Sequence, residues 1–254
     1  MADKPWFEQA FDAPYLEVYA HRNQQEADRA TRLLLEPFGV RGRVVLDLAC
    51  GAGRWLLPLE RAGAHAVGAD LSWPLLQSAA HMRQSAQASF ALLRADMQHI
   101  PMQARSCDIV LSMFTSFGYF NEVAGDIAVL HEARRVLRPS GALFVDIFNA
   151  HRVQQQLVPE TRRTAGRFDV LEKRRIDTER GLVLKDIELS TDGETFRYRE
   201  QVRLWKQGAL RQALSDSGFR TLGVFGDYDA SPFYEANSPR LILHAEASGE
   251  PIRS

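Results

Sequence analysis

Cysteine is nearly absent from the chain: Cys50 and Cys107 are the only two in 254 residues, and both lie in or beside apolar runs. A disulfide framework is thereby excluded and a reducing compartment expected. The seven histidines show no paired metal-ligand spacing, so no metal site is expected either. No apolar run approaches the ~18 residues that a membrane-crossing helix needs. The start, Met-Ala-Asp-Lys-Pro-Trp, lacks the basic-then-apolar order of a leader. The expected location is the cytoplasm, with no membrane partner. Neither sign of charge is in excess, and a formal net charge of −1 argues against a nucleic-acid partner, whose phosphates call for a basic face. Repeats and low-complexity tracts are missing as well. What is left, 45% hydrophobic and 25% charged residues, is the composition of a globular protein with one substantial core, so residues 1–254 are read as a single domain.

The most informative stretch runs from Arg43 to Gly53. Val44 to Ala49 is an apolar run interrupted by Asp47, and Cys50-Gly51-Ala52-Gly53 closes it. Such a run reads as a buried parallel strand that turns sharply into a helix, and its glycines let a ligand approach the backbone closely. In an open α/β sheet, ligands bind at the carboxyl ends of the strands. A dinucleotide fingerprint requires a third glycine three positions after Gly53, where Leu56 stands. The acid inside the strand and the missing glycine both weigh against a nicotinamide site.

Two further acids close apolar runs. Asp70 ends Ala64-His-Ala-Val-Gly-Ala-Asp70, roughly 20 residues past the glycine turn, the separation expected of an acid that reaches a nucleotide ribose. Asp70 could instead cap the helix starting at Ser72-Trp73-Pro74, although Ser72 suffices for that. Asp96 ends Phe90-Ala-Leu-Leu-Arg-Ala-Asp96, and Arg138-Pro-Ser-Gly141 introduces another run, Ala142 to Asn149.

The acid-bearing strand with Cys-Gly-x-Gly resembles motif I of the class I S-adenosylmethionine (AdoMet) dependent methyltransferases, and the resemblance extends over Val44 to Asn149. It implies a Rossmann-like α/β fold: a seven-stranded, mostly parallel sheet with helices on both faces. It also implies a cofactor site. Asp47, Ala49, Gly51 and Gly53 would form the turn side, with Asp47 meeting the methionine ammonium directly or through water. Asp70 and Leu71 would take the ribose, Asp96 and Met97 the adenine, and Met113 would close the site after the fourth strand. In this family an N-terminal helix often folds over the cofactor, which makes Arg22 the candidate for the methionine carboxylate.

Phe114-Thr-Ser-Phe-Gly-Tyr-Phe-Asn121 places four aromatics in eight residues directly after a strand. Left exposed they would be costly, so they either fill the core or line a pocket, where ring faces suit the sulfonium cation. Phe117, Tyr119 and Phe120 are the substrate-pocket candidates, joined by Asn149 and Tyr228. Residues 1–42 are read as a helical cap, with Ala27, Ala30, Leu33, Leu34 and Phe38 facing inward. Over 164–205 the periodicity becomes that of strands, and Asp192-Gly193 marks a hairpin. This reads as a small antiparallel insertion after strand five, the place where the family often carries a lid. Its arginines, Arg197, Arg199 and Arg203, alternate with apolar residues and suit a solvated, ion-paired face.

The expected activity is methyl transfer from AdoMet, leaving S-adenosylhomocysteine, to N, O or C of a small-molecule acceptor by in-line displacement. RNA or protein methylation and non-catalytic AdoMet binding are the alternatives. A general base is needed only for a protonated acceptor; His21, Tyr119, His151 and Tyr228 all stay open for that role.

Overall fold

The computed structural model describes residues 6–7, 17–18, 24–191 and 193–248. Seven strands form one sheet in the order β10-β11-β5-β4-β1-β2-β3. These are β1 (Val44–Leu48), β2 (His65–Asp70), β3 (Ala91–Arg94), β4 (Cys107–Ser112), β5 (Leu137–Phe148), β10 (Phe219–Phe225) and β11 (Arg240–Ala247). β1 to β5 pair in parallel, with Leu46 of β1 beside Val67 of β2 and Val110 of β4. β11 runs antiparallel to β5 and to β10. Strand order reverses between β1 and β4, which opens a crevice at their carboxyl ends.

The parallel strands are apolar on both faces because helices cover both. Leu46 and Leu48 join one core with Val110, Phe117, Leu143 and Trp205, whereas Val45 joins a second with Ile109, Trp55, Leu56 and Phe144. Covering these faces are α1 (Gln24–Ala30), α2 (Leu56–Arg61), α3 (Trp73–Ser85), α4 (Val123–Val136), α5 (Ala150–Gln156) and α6 (Gln207–Asp216). After α1 the chain passes through a π turn at Thr31–Leu35 and a 3-10 turn at Glu36–Phe38. The wider turn rotates the apolar face. Leu33, expected inside, is therefore 38% exposed, and Leu35 is buried in its place.

A second, four-stranded antiparallel sheet lies between α5 and α6: β6 (Glu160–Ala165), β7 (Phe168–Asp177), β8 (Leu182–Thr191) and β9 (Glu194–Arg203). It begins one strand earlier than the 164–205 boundary. β6 alternates Thr161 and Arg163 with Glu160 and Arg162 and carries few apolar residues, so periodicity alone conceals it. Among the described residues no helix is long and apolar enough to cross a membrane. No group of three or more His, Cys, Asp or Glu among them could hold a metal ion.

Candidate functional site

At the end of β1 the chain turns through Ala49, a non-glycine residue with φ 54°. Gly53 follows at φ +83°, and a Cβ there would stand 3.0 Å from both the Ala79 Cβ and the Met82 Cε of α3. Backbone sign and the proximity of α3 both demand glycine at this position. From the tip of β2, Asp70 returns to the same turn: its Oδ2 accepts from the Gly51 N–H at 2.8 Å and its Oδ1 from the Ser72 N–H at 2.8 Å. Ser72 Oγ caps α3 by accepting from the Leu75 N–H at 3.3 Å. Each Asp70 oxygen keeps a further lone pair. Burial raises the Asp70 pKa, and the Ser72 and Gly51 amides oppose that rise.

Ala49, Asp70, Leu71, Asp96 and Met97 line one cleft, which Phe7, Tyr119 and Phe120 also line. Asp96 Oδ1 accepts from the Gln98 N–H at 2.9 Å, which shapes the turn after β3. Tyr119 and Phe120 are held from the N-terminal side. The Trp6 indole donates to the Tyr119 carbonyl at 3.0 Å and packs edge-on to its ring, while Phe7 packs edge-on to Phe120. Beneath the turn Asp47 is 1% exposed, and its Oδ2 has no hydrogen-bond partner among the described residues. Burial pushes its pKa up to about 8; Arg54 counteracts this and Asp70 adds to it. A buried carboxyl oxygen without a donor is costly, and a cationic ligand group is one partner that would relieve it.

Four residues expected to touch cofactor or acceptor are buried and do not line that cleft. Phe117 is 1% exposed, with its ring centroid 5.9 Å from that of Trp205 in the core. Met113 is likewise buried, in the second core. The Asn149 amide donates to the carbonyls of Glu235 at 2.7 Å and Ser238 at 2.9 Å, and its oxygen caps α5 by accepting from the His151 N–H. It therefore ties down the loop between β10 and β11. Tyr228 is 2% exposed and donates its hydroxyl to Asp146 Oδ2 at 2.6 Å. Burial first, and Asp146 second, raise its pKa. Arg22 and His21 lie outside the described residues.

Asp146 went unnoticed in the sequence. Fully buried in β5, it accepts from the Phe114 N–H at 2.6 Å and pairs with Arg240, while its carbonyl accepts from the Thr115 N–H at 2.8 Å. Phe114 and Thr115 both have positive φ, 57° and 65°, and these bonds hold that sparsely populated backbone in place. Two guanidinium groups stand over the Phe114 ring, Arg54 at 4.1 Å and Arg240 at 5.4 Å from its centroid. The signal that could have revealed Asp146 is a lone acid inside the apolar run Ala142 to Phe148, the same signal that marks Asp47 in β1.

Comparison with known proteins bears on this geometry. Residues 45–141 match the family model of a methyltransferase domain. The chain is 26% identical over 247 residues to a putative methyltransferase, YqeM, of Bacillus subtilis, covering 94% of this chain and 97% of the relative. It is 29% identical over 180 residues to the ubiquinone/menaquinone biosynthesis C-methyltransferase UbiE of Syntrophotalea carbinolica, covering 69% and 68% respectively. A crystal structure of an S-adenosylmethionine-dependent methyltransferase from Clostridium acetobutylicum superposes with a TM-score of 0.79 at 16% identity, over 93% of this chain and 97% of that one.

Proposed function

We propose, from the premise that this chain is a class I S-adenosylmethionine-dependent methyltransferase, that it carries the methyl group to a small-molecule acceptor. The observation that carries the site assignment is the bond between the glycine turn after β1 and Asp70 at the tip of β2, with Asp70 itself lining the cleft. The Asp47 oxygen, without a partner among the described residues, provides the test of fit, since the cofactor's ammonium would supply a donor. When bound, the cofactor supplies an electrophilic methyl on a sulfonium whose thioether leaving group needs no proton.

The protein's part is to bind, orient and keep water out. Asp70 offers its remaining lone pairs to the ribose hydroxyls while its own bonds keep Gly51 and Ser72 in register. Asp96 and the backbone at Met97 would hold the base and Leu71 the ribose, all three residues lining the cleft. Tyr119 and Phe120, braced by Trp6 and Phe7, cover the cleft and lower its water content. Alignment of an acceptor with the methyl group contributes on the order of 7–11 kcal/mol in reactions of this kind. Tyr228 donates its hydroxyl to Asp146, and burial raises its pKa, which disfavours it as a base. A small acceptor accords with the quinone-biosynthesis relative and with a cleft walled by aromatics, and the near-zero net charge weighs against nucleic acid.

Titration calorimetry with AdoMet and S-adenosylhomocysteine tests this reading, followed by measurement of S-adenosylhomocysteine release over a panel of quinols, amines and hydroxylated metabolites. Saturable binding of both cofactor forms and turnover with at least one small acceptor are expected. No binding heat with either form at millimolar concentration would sink the proposal.

A further inference from the structure

The Arg203 guanidinium, at the end of β9, is not on the solvated face that its alternation with apolar residues suggests. Arg197 and Arg199 are on that face, where they pair with Glu188 at 2.8 Å and Asp186 at 2.6 Å. Arg203 turns inward and is 11% exposed. Its Nε donates to the fully buried Asp126 of α4 at 3.0 Å, and its Nη2 donates to the carbonyls of Asn121 at 2.8 Å and Phe120 at 3.2 Å. Its Nη1 donates to the Arg180 carbonyl in the β7–β8 turn at 3.2 Å. The Arg203 N–H itself donates to the Gly118 carbonyl at 2.8 Å. One residue thus binds both flanks of Tyr119 and Phe120, the two rings that line the cleft.

The neighbouring residues complete the attachment. Gln201 Nε2 donates to Asn121 Oδ1 at 2.6 Å, and the Trp205 indole donates to Asp126 Oδ2 at 3.0 Å. Gly118 has φ +98°, and a Cβ there would stand 3.2 Å from the Arg203 nitrogen, so loop and strand are in backbone contact. A planar fork with five donors serves these separated acceptors, whereas a lysine ammonium could satisfy only some of them. For a surface ion pair such an arrangement would matter little, but here it is desolvated and joins two sheets through a loop that belongs to the cofactor cleft.

We propose that Arg203 is a positioning residue for the cofactor site: it sets the loop from Gly118 to Asn121 and thereby couples the docking of the four-stranded sheet to the closure of Tyr119 and Phe120 over the cleft. The inference rests on the AdoMet reading of that cleft. Arg203 touches neither cofactor nor acceptor in this role; it acts through the loop.

R203K in the full-length chain tests the role, with AdoMet affinity measured by calorimetry, amide hydrogen exchange over residues 118–121, and thermal unfolding as the fold control. Loss of two hydrogen bonds to the loop predicts affinity weakened about tenfold and faster exchange confined to the loop and the β7–β8 turn, with cooperative unfolding retained. G118A approaches the same contact from the loop side and leaves the guanidinium intact; it should reproduce both effects. Should R203K unfold, G118A alone decides. Unchanged affinity and loop exchange in a folded variant would overturn the role, as would a lowered melting temperature with affinity per folded molecule unchanged. A wild-type chain that binds no AdoMet would instead overturn the cofactor reading, which separates the two failures.

Discussion

Asp70 and Gly51 meet through a single 2.8 Å hydrogen bond, amide to carboxylate, between the tip of one strand and the turn that follows its neighbour. On the proposed reading Asp70 serves both the cofactor and the turn, so removing the carboxylate should act on both. Asp70→Ala should weaken AdoMet binding by about ten- to a hundredfold, the equivalent of one or two charge-assisted hydrogen bonds. Asp70→Asn keeps one acceptor oxygen and should fall between. Calorimetry at constant pH is the measurement, and equal affinities for wild type and Asp70→Ala would restrict Asp70 to shaping the turn.

Asp47 makes apo stability depend on pH. Its folded pKa is raised to about 8 from an ordinary 3.8, so between those values the native state holds a proton that the unfolded state has released. The stability contributed by this group is complete below the unfolded value and declines as pH rises toward 8, with a slope of at most about 1.4 kcal/mol per pH unit. His244, whose pKa burial lowers, works in the opposite direction below its ordinary value of 6.5. The difference between wild type and Asp47→Asn isolates the Asp47 contribution. In urea denaturation from pH 5.5 to 8 the variant should gain on wild type as pH rises, while binding AdoMet less tightly. A pH-independent difference would show that Asp47 is not protonated in the apo fold.

Tyr228 and Asp146 should behave as a structural pair. Tyr228→Phe removes one bond to a carboxylate that retains Arg240 and the Phe114 amide, a loss of about 1–2 kcal/mol. Asp146→Ala strands a buried guanidinium and should cost about 3–5 kcal/mol. Denaturation midpoints measure both. If Tyr228→Phe kept full stability and abolished methyl transfer, Tyr228 would be the general base after all.

Trp6 braces the rim of the cleft through its bond to the Tyr119 carbonyl and its ring contact at 4.9 Å. Trp6→Ala removes both and should weaken AdoMet binding about three- to tenfold; Trp6→Phe keeps the ring contact and should lose less. Melting temperature should change little, because the indole lies outside both cores of the seven-stranded sheet. Equal affinity in Trp6→Ala would remove the N-terminal segment from the site.

Much of the cleft was legible before folding because its parts are local. A strand buried on both faces must be apolar, so an acid at its tip or a glycine turn beyond it stands out in a one-dimensional reading, as at Asp70, Asp96 and Gly51 to Gly53. Aromatics are ambiguous by the same logic. Tyr119 reached the cleft and Phe117, two residues away, entered the core, and nothing in Phe114 to Asn121 distinguishes them. Arg203 shows the converse: strand alternation placed it with Arg197 and Arg199, but β9 ends against α4, so the same face that is wet at one end of the strand is buried at the other.

The sequence by itself determined the order of the α/β units, the acids that close their strands and the glycine turn after the first of them, since each depends on the periodicity and sterics of neighbouring residues. Only the tertiary structure decided which side chains were left available to a ligand. Tyr228 and Arg240 find Asp146 from 82 and 94 residues away, and Arg203 finds Asp126 from 77. Pairings at that separation follow from which strands become neighbours, and a buried charge accepts whatever partner the packing brings to it.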